Sequence, residues 1–171
     1  LLLAFVKLIA KWNKAYNLSA IRSQEDMLRL HILDSLAVLP YVMGEKIIDV
    51  GTGAGLPGIP LAIFMPSVQF TLLDSNSKKT RFVQQSVMEL GLKNVEIVHG
   101  RVEELGRIAE YDAVISRAFA SLHDMMKLTE YLLQSQGVLL AMKGQVPKVE
   151  LDKIGRTYSV ESIAVPDVDA E

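Results

Sequence analysis

Asp49-Val50-Gly51-Thr52-Gly53-Ala54-Gly55-Leu56-Pro57-Gly58 follows a short apolar run, Lys46 to Val50, and leads into a helical one, Leu61 to Met65, that Pro60 opens. A tight turn from strand to helix needs one glycine. Four within eight residues make a loop whose backbone a ligand can approach closely, because no Cβ intervenes. Proline suits the first turn of the helix that follows. A glycine loop between a strand and a helix is where a doubly wound parallel sheet binds nucleotide-like ligands, at the carboxyl ends of its strands.

Outward from the loop toward the C-terminus, strand and helix alternate. Strands are expected at Gln69 to Leu73, closed by Asp74, then at Val95 to Val98, Asp112 to Ser116, Gly137 to Met142 and Tyr158 to Ala164. Between them, Ser77 is expected to cap a helix running to Leu90 and ended by Gly91. Val102 to Ile108, Ser121 to Leu133 and Pro147 to Ile154 read as further helices. Such alternation predicts a mostly parallel sheet with helices on both faces. Toward the N-terminus the period is helical. Leu1, Phe5, Leu8, Trp12 and Tyr16 share one face, and Lys7, Lys11 and Lys14 fall on another. Ser23, with Asp26 three residues on, starts a second helix through Met27, Leu30, His31 and Asp34 that ends near Pro40. The expected organisation is one domain, 1–171, with a helical lead-in (1–43) and an α/β core (44–171).

Composition narrows the chemistry. Half of the 171 residues are hydrophobic and 22% are charged, as in an ordinary globular protein. The chain has no cysteine, which excludes a disulfide scaffold, a thiolate zinc site and a cysteine nucleophile. The net charge is −2 and the pI about 6.0, so nucleic-acid binding requires a local patch. No apolar run reaches the length of a membrane span, and the apolar start, cut by Lys7, reads as a helix and not a signal peptide. No membrane partner and no metal site are expected, and the expected location is the cytoplasm.

The loop admits two ligand classes. Gly53, Gly55 and Gly58 satisfy the dinucleotide pattern G-x-G-x-x-G, while Gly51, Gly53 and Gly55 satisfy the G-x-G-x-G of methyltransferases that use S-adenosylmethionine. Asp49 just inside the strand end favours the second, since a carboxylate suits a cationic amino-acid group and repels a pyrophosphate. Asp74, at the end of the next strand, suits ribose hydroxyls in either class, and equally a turn or cap in Asp74-Ser75-Asn76-Ser77. Glu103 follows the third strand, where an adenine would lie; alone it reads as a solvated first-turn acid. No Gly-x-x-x-x-Gly-Lys-Ser/Thr loop exists.

Three cations stand at expected strand carboxyl ends: Arg101, Arg117 and Lys143. Arginine cannot serve as a base but can bind phosphate or a base edge with two parallel bonds. Of the three histidines, His31 is the one expected to be buried, as a structural residue beside Asp34. Nothing around Ser116 in the sequence suggests a base for it, so a hydrolase triad has no support.

Lys11-Trp12-Asn13-Lys14-Ala15-Tyr16-Asn17-Leu18, His31-Ile32-Leu33-Asp34-Ser35, Asp49 to Gly58, Arg101-Val102-Glu103-Glu104, Ser116-Arg117-Ala118-Phe119-Ala120 and Lys143-Gly144 occur in this order. Together they closely resemble the bacterial small-subunit ribosomal RNA guanine methyltransferases once called glucose-inhibited division protein B. The resemblance runs from about Lys11 to Asp169. It implies a Rossmann-like fold of the class I S-adenosylmethionine-dependent methyltransferase type. It also implies methyl transfer to ring nitrogen 7 of a guanine in 16S ribosomal RNA, alone or in the 30S subunit; separately, the chain is expected to be a monomer. By the resemblance, Gly51, Leu56, Val102, Glu103 and Arg117 line the cofactor pocket. The residue reading adds Asp49, Thr52, Gly53, Gly55 and Asp74. Arg117 and Lys143 are candidates for positioning the reactants, and Lys7, Lys11, Lys14, Arg101, Arg117 and Lys143 for contacting RNA. Ring nitrogen 7 carries a lone pair and no proton, so no general base is expected. The family usually has more sequence before the first helix and another strand after the acidic tail, so the last strand of the usual seven is expected to be missing.

Overall fold

The computed structural model describes residues 1–117, 119 and 121–163. Its centre is β1 (Lys46–Val50), four of whose five residues are buried. Such a continuously buried run belongs in the middle of a parallel sheet covered on both faces. β1 pairs in parallel with β2 (Gln69–Asp74) on one side and β4 (Tyr111–Ser116) on the other. β3 (Val95–His99) lies beyond β2, and β5 (Leu133–Ala141) beyond β4, giving the order β3-β2-β1-β4-β5. The order reverses between β1 and β4. Ligands bind at such a switch point in doubly wound sheets.

Successive strand residues face opposite ways. Ile47 therefore enters one core with Ile59, Phe70, Leu72 and Phe82, while Ile48 and Val50 enter the other with Leu73, Val114, Met125 and Leu132. The first core is covered by α4 (Gly58–Phe64), α5 (Ser77–Leu90) and, over them, α1 (Leu2–Tyr16). Phe5 and Trp12 of α1 bring their rings to 6.3 and 5.7 Å from that of Phe82 on α5. The second core is closed by α6 (Leu122–Thr129).

Several boundaries differ from expectation. The cap of α5 is Asn76, whose side chain accepts from the Lys78 and Lys79 amides, and Ser77 is the first helical residue. Only Val102–Glu104 is helical after β3, as a 3₁₀ turn. α6 stops at Thr129, followed by a 3₁₀ turn over Glu130–Leu132. β5 starts at Leu133, four residues early, because Leu133 already pairs with Tyr111 before a register shift restores pairing at Val138. The polar Gln-Ser-Gln-Gly between them hides the strand. α7 covers only Lys148–Leu151. The expected strand at Tyr158 to Ala164 is absent through Ile163, and Ala164 lies outside the described residues. It carries the β-branched Val160 and Ile163, but a strand forms only against a partner, and no described strand runs beside it.

The lead-in continues through α2 (Gln24–Met27), a π-helical stretch over Leu28–Leu33, α3 (Asp34–Ala37) and a 3₁₀ turn over Leu39–Tyr41. Ser23 caps it as expected, accepting from the Asp26 amide. No described helix is long and apolar enough to cross a membrane.

Candidate functional site at the strand carboxyl ends

The glycine loop is held from both sides. The Gly51 and Thr52 amides donate to the Leu73 carbonyl at 2.8 and 3.0 Å, fixing the loop to the end of β2. The Gly53 amide donates to Asp74 Oδ2 at 2.8 Å, and Asp74 Oδ1 accepts from the Asn76 amide at 2.8 Å. Asp74 thus joins the loop to the turn before α5, which is the turn role open to it from sequence. From β1, Asp49 Oδ2 accepts from the Thr52 hydroxyl at 2.7 Å and the Gly58 amide at 2.9 Å. Its other oxygen, Oδ1, is buried and makes no hydrogen bond. Burial raises the Asp49 carboxyl to about 6, against the opposing pull of the Thr52 and Gly58 bonds and of Arg117.

Two glycines show what the loop requires. At Gly58 a Cβ would lie 2.1 Å from Leu72 Cδ2 and 2.9 Å from Asp49 Oδ2, so glycine lets α4 close on the sheet. Gly53 has φ +60, and a Cβ there would meet nothing nearer than the Gly51 carbonyl oxygen at 3.9 Å. Gly58 serves packing; Gly53 faces open space at the switch point. Leu56 is buried beneath the loop.

Beyond β3, Val102 is buried and Glu103 exposed. The Tyr131 hydroxyl donates to the Val102 carbonyl, anchoring this 3₁₀ turn to the one that follows α6. Beyond β4, Ser116 donates to the Val50 carbonyl at 2.7 Å, which gives it a structural part. Arg117 Nη1 then meets Asp34 Oδ2 of the lead-in at 3.1 Å. Lys143, beyond β5, donates to the Phe119 carbonyl at 2.8 Å and so steadies the loop after β4.

The lead-in therefore belongs to the site's architecture. The buried Asn13 side chain bonds the carbonyls of Ser19 and Ile21 and the amide of Ser19. This shapes the turn that places Ser19 Oγ 2.7 Å from His31 Nε2. His31 is buried within the π-helical stretch, as expected, but its Nδ1 makes no hydrogen bond. Burial, with Arg117 nearby, holds it below its ordinary value, so it is neutral at pH 7. The lead-in's contact with Arg117, across 83 residues, has no sequence signal. Lys7, Lys11 and Lys14 are exposed on α1, and Arg101 is exposed where β3 ends. Among the described residues no group of carboxylates and histidines is arranged to hold a metal. A groove between α6 and α7, lined by Ser121, His123, Met126, Glu150 and Lys153, shares no residue with the glycine loop.

These residues fit an adenosine-bearing, cationic amino acid. The orphaned buried oxygen of Asp49 asks for a donor, and the loop is open at Gly53. Known proteins point the same way. Residues 1–170 match the family model GidB, described as rRNA small subunit methyltransferase G. A Legionella pneumophila protein named ribosomal RNA small subunit methyltransferase G is 53% identical over 171 residues, 100% of this chain and 82% of that protein. One of the same name from Hydrogenovibrio crunogenus is 55% identical over 99% of this chain and 80% of its own length. Among solved structures, a SAM-dependent methyltransferase from Aquifex aeolicus superposes with a TM-score of 0.57 at 19% identity, covering 68% of this chain and 65% of that one. M. jannaschii TYW2, solved in complex with AdoMet, does so at 0.56 and 18% identity, covering 63% and 50%. Both share the fold.

Proposed function

The chain belongs to the rRNA small subunit methyltransferase G family, an S-adenosylmethionine-dependent enzyme family, and from that premise we propose that it methylates ring nitrogen 7 of a guanine in 16S ribosomal RNA. The observation that supports the cofactor's seat most is the Asp49 carboxylate: buried, half-engaged in holding the loop, with Oδ1 left for a donor. In this reading Asp49 takes the ammonium of the methyl donor, the loop around Gly51, Thr52, Gly53, Gly55 and Leu56 cradles its amino-acid end, and Asp74 reaches the ribose. Val102 and Glu103 border the adenine, with Tyr131 steadying their turn.

When bound, the cofactor supplies a methyl group already activated by the adjoining sulfonium charge. With Asp49 and the glycine loop holding the donor, the lone pair of guanine nitrogen 7 would take that methyl in line with the sulfur, which would keep the C–S electron pair while the positive charge passed to the purine ring. No proton leaves nitrogen 7, so the residues at the strand ends need only align the two reactants and exclude water. The positions of Arg117 and Lys143 at the ends of β4 and β5 suit that task. The cations Lys7, Lys11, Lys14 and Arg101 supply phosphate contacts on a protein of net charge −2. The chain acts as a monomer in the cytoplasm, in one domain spanning lead-in and core. The test is methylation of unmodified small subunits with labelled donor, followed by nucleoside analysis: label in 7-methylguanosine supports the reading, and label in another nucleoside overturns it.

A further inference from the structure

Asp34 and Arg117 form a pair at the mouth of the switch point, one from the lead-in and one immediately after β4. Their side chains are 37% and 31% exposed, and a pair that open to solvent adds little to folding. One bond joins them, Arg117 Nη1 to Asp34 Oδ2 at 3.1 Å. Among the described residues, Asp34 Oδ1 and Arg117 Nη2 make no hydrogen bond. The pair therefore presents, side by side, a spare guanidinium donor and a carboxylate with an unused acceptor.

We propose that Asp34 and Arg117 select guanine by reading its O6, N1–H and 2-amino edge, with Arg117 donating to O6 and Asp34 accepting from N1–H and the 2-amino group. This deepens the guanine reading above and rests on it. Acceptor, donor, donor is the order along that edge of guanine; Arg117 Nη2 answers the first, Asp34 Oδ1 one of the donors, and Asp34 Oδ2, which already accepts from Arg117 Nη1, has a second lone pair for the other. Adenine places an amino group where guanine has O6 and a bare lone pair at N1. Arg117 would then face a donor, and Asp34 a lone pair. A base splayed out of its RNA strand exposes this edge. A contact at O6 and N1 also leaves nitrogen 7 open to the methyl group. As positive charge passes to the ring, the Asp34 carboxylate lies beside the edge that becomes more acidic, and stabilises it there. The neutral His31, one turn before Asp34, does not compete with Arg117 for the carboxylate.

The test compares methyl transfer to small subunits reconstituted with either guanosine or inosine at the methylated position. Inosine lacks only the 2-amino group. The wild-type chain is expected to prefer guanosine by about 10- to 100-fold in kcat/KM. In Asp34→Asn that preference falls below about threefold and the rate on guanosine drops by a similar factor of about 10 to 100. Asp34→Glu keeps part of the preference. A merely structural Asp34 would lower both rates together and leave their ratio unchanged, and that result overturns the proposal. So does a wild-type chain that does not discriminate, a measurement that depends on no variant folding. Calorimetry with S-adenosylmethionine confirms that each variant is folded. A wild-type chain that transfers methyl to neither subunit overturns the guanine reading itself, and this proposal with it.

Discussion

Asp49 carries two duties that pH separates. Its carboxyl is raised by burial to about 6, so between its ordinary value and about 6 the folded state holds a proton that the unfolded state has lost. The group's contribution to stability is therefore greatest at low pH and declines as pH rises through that window. Binding of a cationic ammonium runs the other way, because it needs the ionised form. Affinity for S-adenosylmethionine should fall by up to about tenfold per pH unit below about 6, and Asp49→Asn should flatten the profile. An equally steep profile in that variant, read by calorimetry across the same range, would remove Asp49 from the contact. The two instructive glycines separate packing from binding in the same way. Gly58→Ala meets Leu72 and should cost about 1–3 kcal/mol of stability, seen as a lowered Tm. Gly53→Ala meets nothing closer than 3.9 Å and should cost about 1–2 kcal/mol through its left-handed backbone alone. Its larger effect should fall on the cofactor's Kd.

The lead-in is the element whose place in the molecule local patterns convey least. Its helices, the Ser23 cap and the basic face of α1 are all legible from spacing and from one capping residue. Where it docks is not. Phe5 and Trp12 seat it on Phe82, and Asp34 bonds Arg117, through contacts between residues 70 to 83 positions apart that no local pattern encodes. Phe5 is fully buried, so Phe5→Ala should cost about 3–5 kcal/mol and loosen the lead-in, which denaturant unfolding would record. The exposed face of α1 makes a separate prediction. Replacing Lys7, Lys11 and Lys14 together by alanine should lower the salt slope of RNA binding by about 2–3, at roughly 0.7–0.9 for each phosphate no longer neutralised. An unchanged slope would put the RNA on another face. The strands of the central sheet are legible because buried parallel strands are uniformly apolar. The start of β5 escapes that signal because Gln134, Ser135 and Gln136 interrupt it. Tyr158 to Ile163 make the converse point, that β-branched and aromatic residues without a neighbouring strand do not suffice.

At the scale of the molecule, a loop of four glycines, an acid inside one strand end and another at the next are enough to locate the candidate site. The order β3-β2-β1-β4-β5 puts all of them at one edge of the sheet. What the residues alone do not convey is how far these groups are already engaged with one another: Asp74 with the loop, Lys143 with Phe119, Arg117 with Asp34. Such preorganisation suits the proposed reaction, which needs alignment and no base. Whether this edge delivers a methyl group to guanine in the small ribosomal subunit is decided by incubating the purified chain with labelled S-adenosylmethionine and small subunits from cells without the modification, then mapping the label along the 16S rRNA. The expected result is one labelled guanosine, recovered as the 7-methyl nucleoside. Binding of the methyl donor with no label in the RNA, or label on another base, would contradict it.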